Sequence, residues 1–347
     1  MLPAVSRQAP PRRGAANGPL LTVRHVTKHF PVRGGVLLRT IGHIHAVDDV
    51  SFEVERGENL GLVGESGCGK TTIGRVILRI YPPTAGAVFF DGRDIASLSR
   101  RELATKMQII FQDPYGSLNP RVTVGSSIGE SMEINKIGTR QERMDRVRAI
   151  MEVVGLYSQY AQRYPHEFSG GQRQRVGLAR ALVLHPELIV CDEPVSALDV
   201  SIQSQILNLL KDLQGEFGLT YLFISHNLAV VKYVCSRVAV MYFGKLAEVA
   251  GVDELFRMPL HPYTQALMAA IPVPDPRQRR DRDEVQGEPP SSTRPPSGCR
   301  FHTRCPLAQD VCREAEPVLT NYGHDHWVAC HAVDQRLGRG TPSVSSP

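Results

Sequence analysis

The 347-residue chain contains no apolar run approaching the ~18 to 20 residues that a helix needs to cross a bilayer. Its first nineteen residues carry Arg7, Arg12, Arg13 and four prolines without an apolar h-region, which argues against a secretory signal peptide. It also lacks a strong charge excess. Forty basic against 35 acidic side chains leave +5, too mild for a dedicated nucleic-acid binder, whose basic surplus clusters on one face. Lysine is scarce, seven against 33 arginines, and nothing about function follows from that. No Cys-x-x-Cys pair and no internal repeat occurs. These absences place the chain in the cytosol as an expectation. A role at a membrane would need another subunit to do the spanning.

Enough apolar sequence is present for a sizeable core: 42% hydrophobic and 22% charged residues argue against a largely disordered chain. Residues 1–19 read as a disordered leader. Leu20 to Val26 and Ala46 to Val54 read as strands, with Gly34, Gly35 and Gly42 marking a long hairpin connection. Asn59 to Val63, Leu188 to Cys191, Thr220 to Ile224 and Val238 to Tyr242 are short apolar strands. Helical periodicity marks Val124 to Asn135, Gln141 to Val154, Gly170 to Leu184 and Val200 to Glu216. Strands alternating with helices predict an α/β core with a mostly parallel sheet. Seven prolines between Pro272 and Pro296 mark a linker or arm over 271–298. A cysteine-rich unit follows over 299–335, then a disordered tail over 336–347.

The segment Gly64, Glu65, Ser66, Gly67, Cys68, Gly69, Lys70, Thr71, Thr72 fits G-x-x-x-x-G-K-[ST] between a strand and a helix. Its glycines let backbone N–H groups turn inward around phosphates, and the helix start adds its dipole. Lys70 is expected to reach the β- and γ-phosphates, and the Thr71 hydroxyl to bind Mg²⁺. Far along the chain, Leu188 to Asp192 is an apolar strand ending in Asp192 and Glu193. The first suits a metal, the second polarisation of an attacking water. Ser169, Gly170, Gly171 and Gln172 open a helix, where Ser169 has the chemistry of an N-cap.

With Phe168 and Arg173 to Arg175, this last segment resembles the signature motif of ATP-binding cassette (ABC) ATPases. Ser196 to Asp199 resembles that family's D-loop. His226 resembles its switch histidine, Gln112 its Q-loop glutamine, and Phe30 the aromatic that stacks on adenine. The resemblance implies a P-loop NTPase core with an antiparallel β subdomain and a helical subdomain over about 113–168, within a cassette over 20–270. It also implies a dimer that sandwiches two ATP molecules, with Ser169, Gly170, Gly171 and Gln172 acting on nucleotide held by the partner. Glu193, His226 and Gln112 would be catalytic, and Thr71, Gln112 and Asp192 would hold Mg²⁺.

The runs Phe111 to Arg121, Tyr164 to Arg175, Asp192 to Val200 and His261-Pro-Tyr-Thr264 look like ATP-binding subunits of dipeptide/oligopeptide importers of the DppF/OppF type. Asn227 stands where an acidic residue is more usual, and Phe30 where tyrosine is commoner. The resemblance covers residues 20 to 335. It implies a second ATPase subunit, a paralogue in a heterodimer, two permease subunits gripped near residues 112 to 168, and an extracytoplasmic peptide-binding protein. The chain would work at the cytoplasmic face of the membrane, without nucleic acid. Nickel and glutathione importers share this architecture. A soluble cassette ATPase acting on nucleic acid or ribosomes usually has two cassettes or a coiled-coil insertion, and exporters often fuse the cassette to membrane helices.

Four of the seven cysteines, Cys299, Cys305, Cys312 and Cys330, crowd the last fifty residues with C-x5-C-x6-C-x17-C spacing. In a reducing cytosol they suggest a metal site more than disulfides. Relatives carry a 4Fe–4S cluster in such an extension, so that cluster is the first expectation. Zn²⁺ and unligated thiols are the alternatives. His302, His324, His326 and His331 are nearby candidate ligands, each more in keeping with surface or packing.

Overall fold

The computed structural model describes residues 18–34, 39–113, 116–271 and 290–333. The expected leader up to residue 17, most of the proline-rich arm and the tail from 334 lie outside the described residues. In chain order the first strands are β1 (Leu21–Gly34), β2 (Arg39–Val54) and β3 (Asn59–Val63), followed by α1 (Lys70–Ile77). Next come β4 (Ala85–Phe90), β5 (Arg93–Asp94), α2 (Arg100–Lys106) and β6 (Met107–Ile110). Helices α3 (Val124–Ile134), α4 (Arg140–Val153) and α5 (Gly170–Leu182) lead to β7 (Leu188–Asp192) and α6 (Val200–Phe217). Then follow β8 (Thr220–Ser225), α7 (Leu228–Val234), β9 (Arg237–Tyr242) and β10 (Lys245–Gly251). The chain closes with α8 (Val252–Arg257), α9 (Pro262–Ala269), α10 (Val311–Glu314), β11 (Thr320–Asn321) and β12 (Trp327–Val328).

These elements form two compact units. The first takes Glu53–Asn59 and Val88–Ile224 with the chain up to Thr22; the second takes Val23–Phe52, Leu60–Ala87 and the chain from Ser225. In the first unit β6, β7 and β8 run parallel, with Ile109 opposite Val190 and Val190 opposite Leu222. Every residue of β7 is buried, as an apolar run covered on both faces requires. Helix α6 supports this layer through Ile206, Leu207, Leu210 and Leu213, one apolar stripe at helical spacing. Gly218 ends it at φ 64, a left-handed C-terminal position that favours glycine. In the second unit β3 pairs parallel with β9, β9 antiparallel with β10, and β10 antiparallel with β12. Its core holds Leu60, Leu62, Ile73, Ile77, Val238 and Tyr263, all fully buried.

The first hairpin departs from expectation. β1 runs on to Gly34 and β2 starts at Arg39, so Gly34 and Gly42 lie within strands; Gly35 lies outside the described residues. Strand pairing is a backbone property. Beyond Val26, β1 is half-exposed on both faces, so no apolar alternation announces it. Among the described residues no helix is long and apolar enough to cross a membrane.

Candidate active site

Phe30, the glycine-rich loop and His226 belong to the second unit; Gln112, Ser169 to Gln172, Asp192, Glu193 and Asp199 belong to the first. The loop leaves β3 and enters α1 through backbone that only glycine tolerates at two points. Gly64 has φ 155, and a Cβ there would lie 2.1 Å from the Met241 carbonyl oxygen. Gly69, at φ 109, would place a Cβ 2.1 Å from the Ala46 carbonyl oxygen. Lys70 is 4% exposed. Its Nζ donates to the carbonyl oxygens of Gly64 (2.8 Å) and Glu65 (2.9 Å) and lies 3.7 Å from Cys68 Sγ. The ammonium is thus folded over its own loop. Burial raises the Cys68 thiol above its ordinary value, so it stays protonated and unreactive.

Phe30 packs edge-on against Tyr81, ring centroids 5.3 Å apart, with Lys28 Nζ 5.0 Å from the Phe30 ring. His226 is exposed just after the last buried position of β8. Asn227 beside it caps α7, its side-chain oxygen accepting from the N–H groups of Ala229 (2.9 Å) and Val230 (3.4 Å). Asparagine therefore fills the position by capping.

In the first unit, Asp192 ends β7 at 5% exposure. Glu193 follows at φ 47, left-handed and uncommon for a residue with a side chain. Its N–H donates to the Ile224 carbonyl at 3.0 Å, which anchors the turn. Gln112 Nε2 donates to Glu193 Oε2 at 3.0 Å, across 81 residues of sequence. Ser169 is the N-cap of α5 in a reciprocal capping box. Its Oγ accepts from the Gln172 N–H at 3.4 Å, and Gln172 Oε1 accepts from the Ser169 N–H at 2.9 Å. A Cβ on Gly171 would lie 2.6 Å from Ile202 Cγ2, whereas one on Gly170 would meet only Leu198 at 3.5 Å. Asp199 is the N-cap of α6 without a side-chain bond to it.

Two residues beside the loop went unassigned in the sequence. Arg304, from the cysteine-rich region, is 7% exposed in its side chain. It donates from Nη1 to Glu65 Oε2 (2.9 Å) and from Nη2 to Glu65 Oε1 (3.3 Å). Tyr263 Oη accepts from the Glu65 N–H at 2.8 Å. Phe301 packs against Tyr242 and Tyr263 at 5.1 and 5.4 Å between centroids. The distinctive His261-Pro-Tyr-Thr264 run was the available signal for Tyr263; one of two arginines between Cys299 and Cys305 gave none for Arg304.

Around the cysteines, three histidines have other partners. His326 Nε2 meets the buried Glu248 carboxylate at 2.6 Å, which also accepts from the N–H groups of Leu260 and His261. His302 Nδ1 lies 2.9 Å from the Cys299 carbonyl oxygen, and His331 Nε2 3.0 Å from that of Ala315. Burial pushes Cys299 up to about 11, Cys330 to about 12, and Cys305 upward. Mutual repulsion among the thiolates adds to each shift, so the four sulfurs feel one another. A bound cation would reverse that order. Among the described residues, no three of these cysteines have sulfurs all within 4.8 Å of one another.

A family model described as "ABC transporter" matches residues 47–196, and one described as "Oligopeptide/dipeptide transporter, C-terminal region" matches 247–312. The oligopeptide transport ATP-binding protein AppF of Bacillus subtilis is 52% identical over 318 residues, covering 90% of this chain and 97% of that protein. A putative peptide import ATP-binding protein of Brucella ovis is 53% identical over 315 residues, with the same two coverages. Among solved structures, the ATP-binding cassette MJ0796, a dimer in a post-hydrolysis state with ADP and Pi, superposes with TM-score 0.59. It is 28% identical and covers 67% of this chain and 98% of its own. CbiO1 from Clostridium perfringens, part of the cbiONQ transporter complex, gives TM-score 0.59 at 27% identity over 69% of this chain and 91% of its own. With half its residues shared across nine-tenths of its length, this chain belongs to the ABC transporter ATPases, in their oligopeptide/dipeptide branch.

Proposed function

We propose that the chain binds and hydrolyses ATP to power import of dipeptides or oligopeptides through a permease complex at the cytoplasmic face of the membrane. The carrying observation is the loop from Gly64 to Thr72, with Lys70 held over it and glycine where backbone contact forbids any side chain. Gly64 to Thr72 wraps the phosphates, Lys70 contacts the β- and γ-phosphates, and Phe30 stacks on the adenine. Thr71, Asp192 and Gln112 would hold Mg²⁺, which supplies charge neutralisation on the phosphates. Glu193, oriented by Gln112, accepts the proton of the attacking water as its oxygen bonds to the γ-phosphorus and the bond to the β-phosphate bridge oxygen breaks. His226 contacts the γ-phosphate and sets its geometry. Ser169, Gly170, Gly171 and Gln172, with Asp199, act on nucleotide bound by a second cassette subunit.

The peptide cargo rests on what the half-identical relatives are called; two permease subunits, a paralogous ATPase and an extracytoplasmic peptide-binding protein are what the family resemblance implies. A 4Fe–4S cluster on Cys299, Cys305, Cys312 and Cys330, ahead of Zn²⁺, rests on the family resemblance alone. Such a group would supply folding energy to a region with little core of its own. Glu193→Gln is expected to retain ATP binding and lose turnover; normal turnover in that variant would sink the assignment. Stimulation by a peptide-loaded binding protein in reconstituted permease tests the cargo. Iron and sulfide analysis of anaerobically purified protein tests the cluster, and one equivalent of zinc without iron rejects it.

A further inference from the structure

The second unit brings together a set of ligand atoms that the ATPase reading does not use. His29 on β1 and His45 on β2 face Asp48, also on β2. His29 Nε2 lies 3.7 Å from Asp48 Oδ1, and His45 Nδ1 3.8 Å from Asp48 Oδ2. Both ring nitrogens are buried without a hydrogen-bond partner, and those separations are too long for one. Two orphaned imidazole nitrogens aimed at one carboxylate are costly unless something else binds them. The three residues are the only group of three or more His, Cys, Asp or Glu among the described residues with ligand atoms all within 4.8 Å.

From this geometry we propose that His29, His45 and Asp48 bind a divalent transition metal ion of the zinc type. A tetrahedral ion with bonds of about 2.0 to 2.2 Å needs ligand atoms roughly 3.3 to 3.6 Å apart; here one ligand atom from each residue lies within 4.8 Å of the other two, so they draw together as the ion binds. Two imidazoles and one carboxylate leave a fourth position to water. The surroundings prepare the ligands. Arg300 pairs with Asp48 Oδ2, orienting the carboxylate while Oδ1 faces His29. The Asp48 N–H donates to the Gly244 carbonyl at 2.9 Å, and the His45 N–H to that of Ser292 at 3.0 Å, which fixes the backbone under both ligands. The ion would clip β1 to β2 beside Phe30, on the hairpin whose Ala46 carbonyl abuts the phosphate loop at Gly69.

Anaerobic titration of the full chain with Co²⁺ separates this site from the cysteines. Thiolate ligands give intense near-ultraviolet charge-transfer bands, whereas nitrogen and oxygen ligands give only weak visible bands. The expected result is one more equivalent of Co²⁺, with weak visible bands, in wild type than in His29→Gln/His45→Gln, and binding of that equivalent weakened at least tenfold in Asp48→Asn. Identical stoichiometry and spectra in wild type and the double variant overturn the proposal. A measurement that needs no variant is modification by diethylpyrocarbonate mapped by mass spectrometry. One equivalent of Zn²⁺ should protect His29 and His45 while His25 stays reactive; equal modification with and without Zn²⁺ overturns it.

Discussion

Helix α4 starts after Thr139 with Glu142 three residues on, and α5 starts after Ser169 with Gln172 three residues on. Both are closed capping boxes in the same unit. Thr139 accepts from the Glu142 N–H at 3.3 Å, and Ser169 from the Gln172 N–H at 3.4 Å. Between the capping residues α4 has Arg140 and Gln141, good helix formers, whereas α5 has Gly170 and Gly171, which cost about 1 kcal/mol each relative to alanine. Packing excuses one of these glycines, because Ile202 leaves no room at Gly171. It does not excuse Gly170, which has space for a methyl group. A capping box explains two of the four signature residues and close packing a third. Neither accounts for the fourth, Gly170.

Gly170→Ala tests that difference most sharply. Stability should hold or rise by up to about 1 kcal/mol, while ATP turnover falls about a hundredfold through loss of close approach to the γ-phosphate. Full turnover would return α5 to the ordinary status of α4. A third cap, His261 on α9, extends the comparison because it can titrate. Its Nδ1 accepts from the Tyr263 N–H at 3.0 Å only while unprotonated. Burial lowers it to about 4, against partial opposition from Glu248. Above pH 6.5 the residue is neutral in both folded and unfolded chains and its contribution is fully present. As pH falls from 6.5 towards 4 the unfolded chain takes up the proton first, so about 3 kcal/mol of stability is lost. Denaturant melts across that range should show this loss, flattened in His261→Asn, which keeps an acceptor without the titration.

Arg304→Gln asks whether the cysteine-rich region braces the phosphate loop as tightly as the caps brace their helices. It should cost about 2 kcal/mol of stability. It should also weaken ATP binding measured by calorimetry; unchanged affinity would make the Glu65 pair a surface ornament. The smallest effects separate the two boxes directly. Thr139→Ala and Ser169→Ala should each lower stability by about 1 kcal/mol, and only the second should reduce turnover.

Much of the fold was legible because its signals are local. The apolar run from Leu188 to Cys191 has to be a buried strand. The stripe from Ile206 to Leu213 has to be an amphipathic helix, and Gly218 has to end it. The phosphate loop was legible for the same reason: its glycines answer to backbone conformation within nine residues. The outer part of the first hairpin was not, because half-exposed strands pair through main chain and leave no pattern in the side chains. Nor was the Gln112–Glu193 bond, whose partners are 81 residues apart.

By itself the sequence determined the α/β core, the phosphate loop and the presence of a cysteine-rich region, since each follows from residue types at short spacing; Phe30, Gln112, His226 and the segment from Ser169 to Gln172 were assigned by resemblance to ABC ATPases. Tertiary structure alone decided that Arg304 grips Glu65, that Glu248 holds His326 Nε2, and that His29, His45 and Asp48 converge. Each of those contacts depends on where distant backbone segments come to rest. That is set by packing of the core, and no spacing along the chain encodes it.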